Sequence, residues 1–187
     1  LYFIRWIIIA FVLGSLGGVI GTVFHHFIDE VTHVRGEFGW LLYLLPFAGL
    51  LIVWLYRVSG LKEDPGTNWV FISTQTQDTV PLRMLPLIFV STLLTHLTGG
   101  SAGREGAALQ VGGSLGSIVG KVCKFKWEDI NITILCGMSA VFSAMFGTPI
   151  AAAVFSIEVV LVGSIQYAAL VPCILSAVVA KYISGLM

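Results

Sequence analysis

Hydrophobic positions in this chain come in long blocks, not in alternation. Leu1–Phe27 is almost wholly apolar, broken only by Arg5, and is long enough to cross a bilayer. Gly14/Gly18 and Gly17/Gly21 sit four apart within it, a spacing that fits close helix approach and equally fits generic small residues of a membrane helix. His25, His26, Asp29, Glu30, His33, Arg35 and Glu37 follow and read as the solvated end of a long helix and a loop. Trp40–Tyr56 reads as a second span, with Trp40, Tyr43, Trp54 and Tyr56 as interfacial aromatics. Arg57, Lys62, Glu63 and Asp64 mark water. Asp64-Pro65-Gly66-Thr67-Asn68 is turn chemistry before WVFI, a piece too short to span. Thr67 or Asn68 can cap it, as a half-helix inside the membrane or as a short interfacial helix on a surface loop.

Ser73–Arg83 is polar, and Leu85–Leu97 predicts a shorter apolar helix with His96 as a hydrogen-bonded packing residue. A glycine-rich turn follows, and Ala107–Val119 predicts the helix it launches. Lys121, Lys124, Lys126 and Trp127 mark a return to water. The next helix is expected over Ile130–Met145, with Glu128 and Asp129 suiting the positive end of its dipole. Gly147-Thr148-Pro149 breaks it, and Pro149 fits the start of a helix running AAAVFSIEVVLV with Glu158 embedded. Gln166–Met187 supplies the last span. Seven or eight helices in 187 residues, several too short to cross alone, predict an all-α, polytopic membrane protein with broken and partial helices.

Composition agrees. The chain is 57% hydrophobic and 11% charged, against about 25% charged in ordinary soluble domains. Formal net charge is zero, so nucleic-acid binding has no electrostatic footprint. Cys123, Cys136 and Cys173 are odd in number and widely spaced, and read as small packing residues, not as a disulfide framework or zinc site. His25, Asp29 and His33 at i, i+4, i+8 could in principle meet a metal, but a solvated helix end explains them better; no metal or cofactor is expected. The opening LYFIRWIII has no separate charged region or cleavage site, so the first segment is expected to be retained. Gly116–Lys121 lacks the spacing and Ser/Thr of a phosphate loop. No Ser/His pair, H-E-x-x-H or paired aspartates fall in the spans, so an enzyme is not expected.

The chemistry concentrates in THLTGGSAGREGAALQVGGSLGSIVG, Thr95–Gly120. Arg104 and Glu105 stand in a glycine-rich turn between apolar segments. A helix N-terminus offers unpaired N–H groups and partial positive charge, which suits an anion. A carboxylate at its mouth competes with that anion and can carry a proton. Glu158, embedded in an apolar helix, is a second functional candidate, or a residue at the aqueous end of a tilted helix.

GREGAALQVGGSLG (103–116) and GMSAVFSAMFGTPIAAAVFSIEVV (137–160) resemble, in order and spacing, the CLC family of chloride channels and anion/proton exchangers. The resemblance covers nearly the whole chain but half of a typical member. It implies the first of two inverted repeats, with residues 1–187 as a single transmembrane domain. It further implies that Glu105 is the gating glutamate, with Arg104 and Gly106 as its motif neighbours. Backbone around Gly103, Gly106, Ala107 and Ala108 would then face the anion. Gly66, Thr67 and Asn68 would lie at the central anion site, with Pro65 in place of the usual serine. Glu158 matches the first of two glutamates of exchangers, and Val159 replaces the second, so any proton path would run through Glu105 and Glu158. Ala107 in place of proline, GGSAGREG, and GTN in place of GIP look more like the fluoride-exporting branch.

The resemblance implies halide (fluoride or chloride) transport with proton antiport in the lipid bilayer of the cell membrane. The alternatives are a passive chloride channel and a non-transporting scaffold. The implied partners are a second repeat and a homodimer mate. That repeat would come from the same gene, a partner subunit or an inverted copy of the chain.

Overall fold

The computed structural model describes residues 2–61, 80–160 and 167–187. Among them are seven α-helices, one 3-10 turn and no strand. The Asp64–Asn68 turn, the WVFI piece and Gly66, Thr67 and Asn68 lie outside the described residues.

Helix α1 spans Tyr2–Glu37, 36 residues without a break. At 1.5 Å per residue it is about 54 Å long, well beyond a hydrocarbon core of roughly 30 Å. Its polar end therefore continues the helix to Glu37, with no loop inside it. Side-chain pairs one turn apart line this end: His25 Nε2 lies 3.3 Å from Asp29 and His33 Nδ1 lies 3.9 Å from Glu37. His33 thus turns to Glu37, and the described residues contain no group of three or more ligands able to hold a metal.

The 3-10 turn Gly39–Leu44 leads into α2, Leu45–Val58, whose proline stands in the first turn. Of the four expected interfacial aromatics, Trp40, Tyr43 and Trp54 are exposed and Tyr56 is half-buried. α3 covers Met84–Leu97 and α4 covers Arg104–Val122. α5 is Trp127–Phe146, α6 Pro149–Glu158 and α7 Tyr167–Ser184. Among the described residues, four stretches are long and apolar enough to cross a membrane: most of α1, Gly39–Val58, α5 and α7. α3 and α6 are apolar but shorter.

Small residues set the packing. Gly14 and Gly18 lie against Ser176, Val179 and Ala180 of α7, while Gly17 and Gly21 lie against Ala140, Val141 and Ala144 of α5. The two pairs are therefore two contact stripes of α1, and generic small residues would not have sorted this way. Gly112 and Gly116 of α4 meet Gly137 and Thr133 of α5, backbone on backbone. α5 is the central element, buried almost continuously from Ile130 to Met145. Buried hydroxyls tie it to α7: Ser143 Oγ donates to Ala177 O at 2.7 Å and Ser176 Oγ to Cys136 O at 3.0 Å.

These contacts fix direction. Arg5 pairs with Asp129, joining the start of α1 to the start of α5. The Gly14/Ser176 and Gly18/Ala180 contacts make α1 and α7 parallel as well. α4 runs the opposite way, since Gly112 meets Gly137 while Gly116 meets Thr133. α5 ends at Gly147, whose φ of +73° turns the chain into α6. The N-termini of α4 and α6 thus open at the same end of the bundle.

Cys136 and Cys173 are buried with their sulfurs 3.8 Å apart, as packing residues, but Cys123 is exposed just past α4. His96 bonds through Nδ1 to Thr92 O at 2.9 Å, the packing role expected of it.

Candidate functional site: the N-terminus of α4

α3 ends where Gly99 takes a φ of +78° and the Gly100 N–H donates to Thr95 O at 2.8 Å. This is the six-to-one bond of a glycine cap, and it satisfies the Thr95 carbonyl at the helix end. A side chain at Gly100 would strike Thr95, and one at Gly99 would press on Leu42 and Arg35. The glycines therefore let the turn lie against α1 and the 3-10 turn.

Ser101–Gly103 is irregular, and Gly103, at φ −74° and ψ 142°, is the N-cap of α4. The helix begins at Arg104, three residues before the Ala107 start expected from sequence. Arg104 and Glu105 are good helix formers, and an acidic residue in the first turn is favoured by the dipole. Glu105 is consequently not a loop residue beside a helix but the second residue of it. Gly103, having no side chain, makes no side-chain cap bond to this N-terminus. The N–H groups of its first turn, from Arg104 onward, thus have no partner within the helix.

Glu105 is exposed and Gly106 half-buried, whereas Ala107 and Ala108 are buried against the core. The Glu105 carboxylate folds back over the N-terminus: a Cβ built on Gly103 would stand 2.7 Å from Glu105 Oε2. The side chain of Arg104 leaves in another direction. Its Nη1 donates to Asp29 Oδ1 of α1 at 2.9 Å, and the other oxygen of Asp29 faces His25 Nε2 at 3.3 Å. Sequence gave no signal of the Asp29–Arg104 pair, since the two lie 75 positions apart.

Glu158 is the last residue of α6, not embedded within a longer helix, and it is half-buried. The chain turns at Val159 and Val160, after one helical segment of 10 residues. α6 starts at the same end of the bundle as α4. Glu158, nine residues in, therefore lies about 14 Å further along its own axis than that end. The fold thus gathers Gly103, Arg104, Glu105 and Gly106 at one helix mouth and leaves Glu158 towards the opposite end.

The geometry has counterparts. Residues 48–187 match the family model described as voltage gated chloride channel. The chain is 36% identical over 183 residues to the chloride/fluoride channel protein of Pseudomonas syringae pv. tomato, covering 97% of this chain and 40% of that protein. It superposes on the crystal structure of a CLC-type fluoride/proton antiporter with a TM-score of 0.92 and 34% identity, over 98% of this chain and 47% of that one. A slow cyanobacterial Cl⁻/H⁺ antiporter shares the fold at a TM-score of 0.77 and 24% identity, with 97% of this chain and 46% of that one covered. The chain spans less than half the length of each. With a family match over three-quarters of its length and helices built to cross a bilayer, this multi-pass membrane chain belongs to the voltage-gated chloride channel, or CLC, family.

Proposed function

We propose that the chain forms one repeat of a CLC-type halide transporter, in which Glu105 gates the anion path and carries a proton. The observation that carries this reading is the exposed Glu105 carboxylate bent over the open N-terminus of a 19-residue helix. Negative charge is favoured there by open N–H groups and the helix dipole. A charged Glu105 occupies the place an anion would take, and a protonated Glu105 yields it. Proton uptake and anion entry are thereby coupled at one position. Gly103, Arg104, Gly106 and the backbone leading to Ala107 and Ala108 form the anion-facing wall. Gly66, Thr67 and Asn68 are assigned to the same path by family resemblance alone.

The antiporter at a TM-score of 0.92 and the chloride/fluoride channel protein favour fluoride over chloride as cargo. Glu158, at the far end of α6, is assigned to the proton route on the opposite side. The exposure of Glu105 supports a site completed by a second repeat, because a buried transport pathway needs a wall facing α4. A homodimer rests on the family resemblance. The chain is read as a transporter, with no chemistry of bond making or breaking assigned to it.

The test is efflux from liposomes holding the chain, followed with fluoride and chloride electrodes. Glu105→Gln is expected to separate anion movement from proton movement. Unchanged coupling in that variant would remove Glu105 from the assigned role. Absence of flux from well-folded chain would assign the path to a two-repeat assembly.

A further inference from the structure

The geometry points to Asp29 as a positioning residue of the gate: it draws the Arg104 guanidinium onto α1 and away from the neighbouring Glu105 carboxylate. The inference rests on the reading of Glu105 as the gate, and concerns what keeps that carboxylate movable.

The register of α1 is fixed by burial. Phe24 and Ile28 are fully buried, and the Phe24 ring lies 4.8 Å from that of Phe89 in α3. His25 and Asp29 follow each of them by one residue and so share the adjacent, more exposed stripe one turn apart. That stripe faces the start of α4, where Asp29 Oδ1 accepts from Arg104 Nη1 at 2.9 Å. The second oxygen lies 3.3 Å from His25 Nε2, so both carboxylate oxygens face a partner. Among the described residues, no cation lies within 4 Å of the Glu105 carboxylate.

Without Asp29 the guanidinium, which is always charged, has a strong acceptor one residue away. At a helix N-terminus the first side chains are not yet stacked by a preceding turn, and Arg104 can swing to Glu105. A gate carboxylate paired with a permanent cation would resist displacement by an anion and resist protonation. Asp29 also offsets part of the Arg104 charge, so the potential at the mouth is set by three residues on two helices.

The test reads charge at position 105 without relying on transport. In a Cys123→Ser background, which removes the exposed native thiol, Glu105→Cys is modified with an anionic and a cationic methanethiosulfonate reagent of similar size. Asp29→Asn is expected to raise the anionic-to-cationic rate ratio about tenfold, the effect of one unit charge near 6 Å at a water-like effective dielectric, acting with opposite sign on the two reagents. Asp29→Glu should restore the original ratio. In an Arg104→Gln background, Asp29→Asn should change the ratio by less than threefold, since the guanidinium it positions is gone.

A ratio left where it was, with access altered for both reagents alike, would overturn the inference. So would an equal rise with and without Arg104. Transport of Glu105→Ala indistinguishable from wild type would sink the gating reading while leaving the reagent ratio interpretable, so the two failures are separable.

Discussion

Substituting Gly116 by alanine probes the contact that holds the gate helix in place. A Cβ at this position would stand 2.1 Å from Thr133 O and 2.6 Å from Ile134 Cα, both backbone atoms of α5. Ordinary contact begins near 3.4 Å, so the axes of α4 and α5 must part by about 1 Å. Backbone cannot step aside as a side-chain tip can, which places the cost at the upper end of overpacking, about 3 kcal/mol. Alanine returns about 1 kcal/mol in helix propensity over glycine. The net loss is about 2 kcal/mol, or about 30-fold in the folded-to-unfolded ratio. Gly49, inside α2, is the control, because nothing among the described residues lies within 4 Å of a Cβ added there. Gly49→Ala should stabilise by up to about 1 kcal/mol. Reversible unfolding in mixed micelles measures both. The reasoning is refuted if Gly116→Ala is as stable as wild type, or if Gly49→Ala is as harmful as Gly116→Ala.

Other outcomes follow from the same structure. Ser143→Ala should cost about 0.6–1.5 kcal/mol in the same assay, because it removes a buried inter-helix bond to Ala177 O. Ser139→Ala should be neutral or mildly stabilising, since the buried Ser139 hydroxyl has no hydrogen-bond partner among the described residues. Halide efflux should rise as pH falls: protonation neutralises Glu105 and ends its competition with the anion, and the rise should vanish in Glu105→Gln. A pH-independent wild-type flux would contradict that sign.

Much of the helix plan was legible because apolar blocks and their glycine and proline breaks are local signals. Pro149 announced the start of α6, and the length of the apolar blocks announced α1, α5 and α7. Boundaries were harder. Gly106 looked like a helix breaker, yet α4 starts before it at Arg104, since one glycine costs only about 1 kcal/mol and a first-turn glutamate offsets part of that. Glu158 looked embedded because apolar Val159 and Val160 follow it, but an apolar run does not say where a helix stops. The polar end of α1 kept its helix through side-chain pairs one turn apart, a pattern compatible with a loop on composition alone. Cys123 was expected to pack and is exposed, because the apolar context around it belongs to the end of α4. The glycine pairs of α1 could be read two ways until α5 and α7 were seen to take one stripe each.

The candidate site divides the same way. Arg104 and Glu105 stood out in sequence because charge is rare in apolar surroundings. Asp29 did not, because it lies among several polar residues and acquires meaning only when α1 and α4 are brought together.

The central claim is that Glu105, at the N-terminus of α4, gates a halide path. Its most direct test is fluoride and chloride efflux from liposomes holding this chain, wild type against Glu105→Ala. The account predicts efflux that is faster for fluoride than for chloride and loses its response to pH when the carboxylate is removed. Equal rates and an unchanged pH response in the two proteins would contradict it.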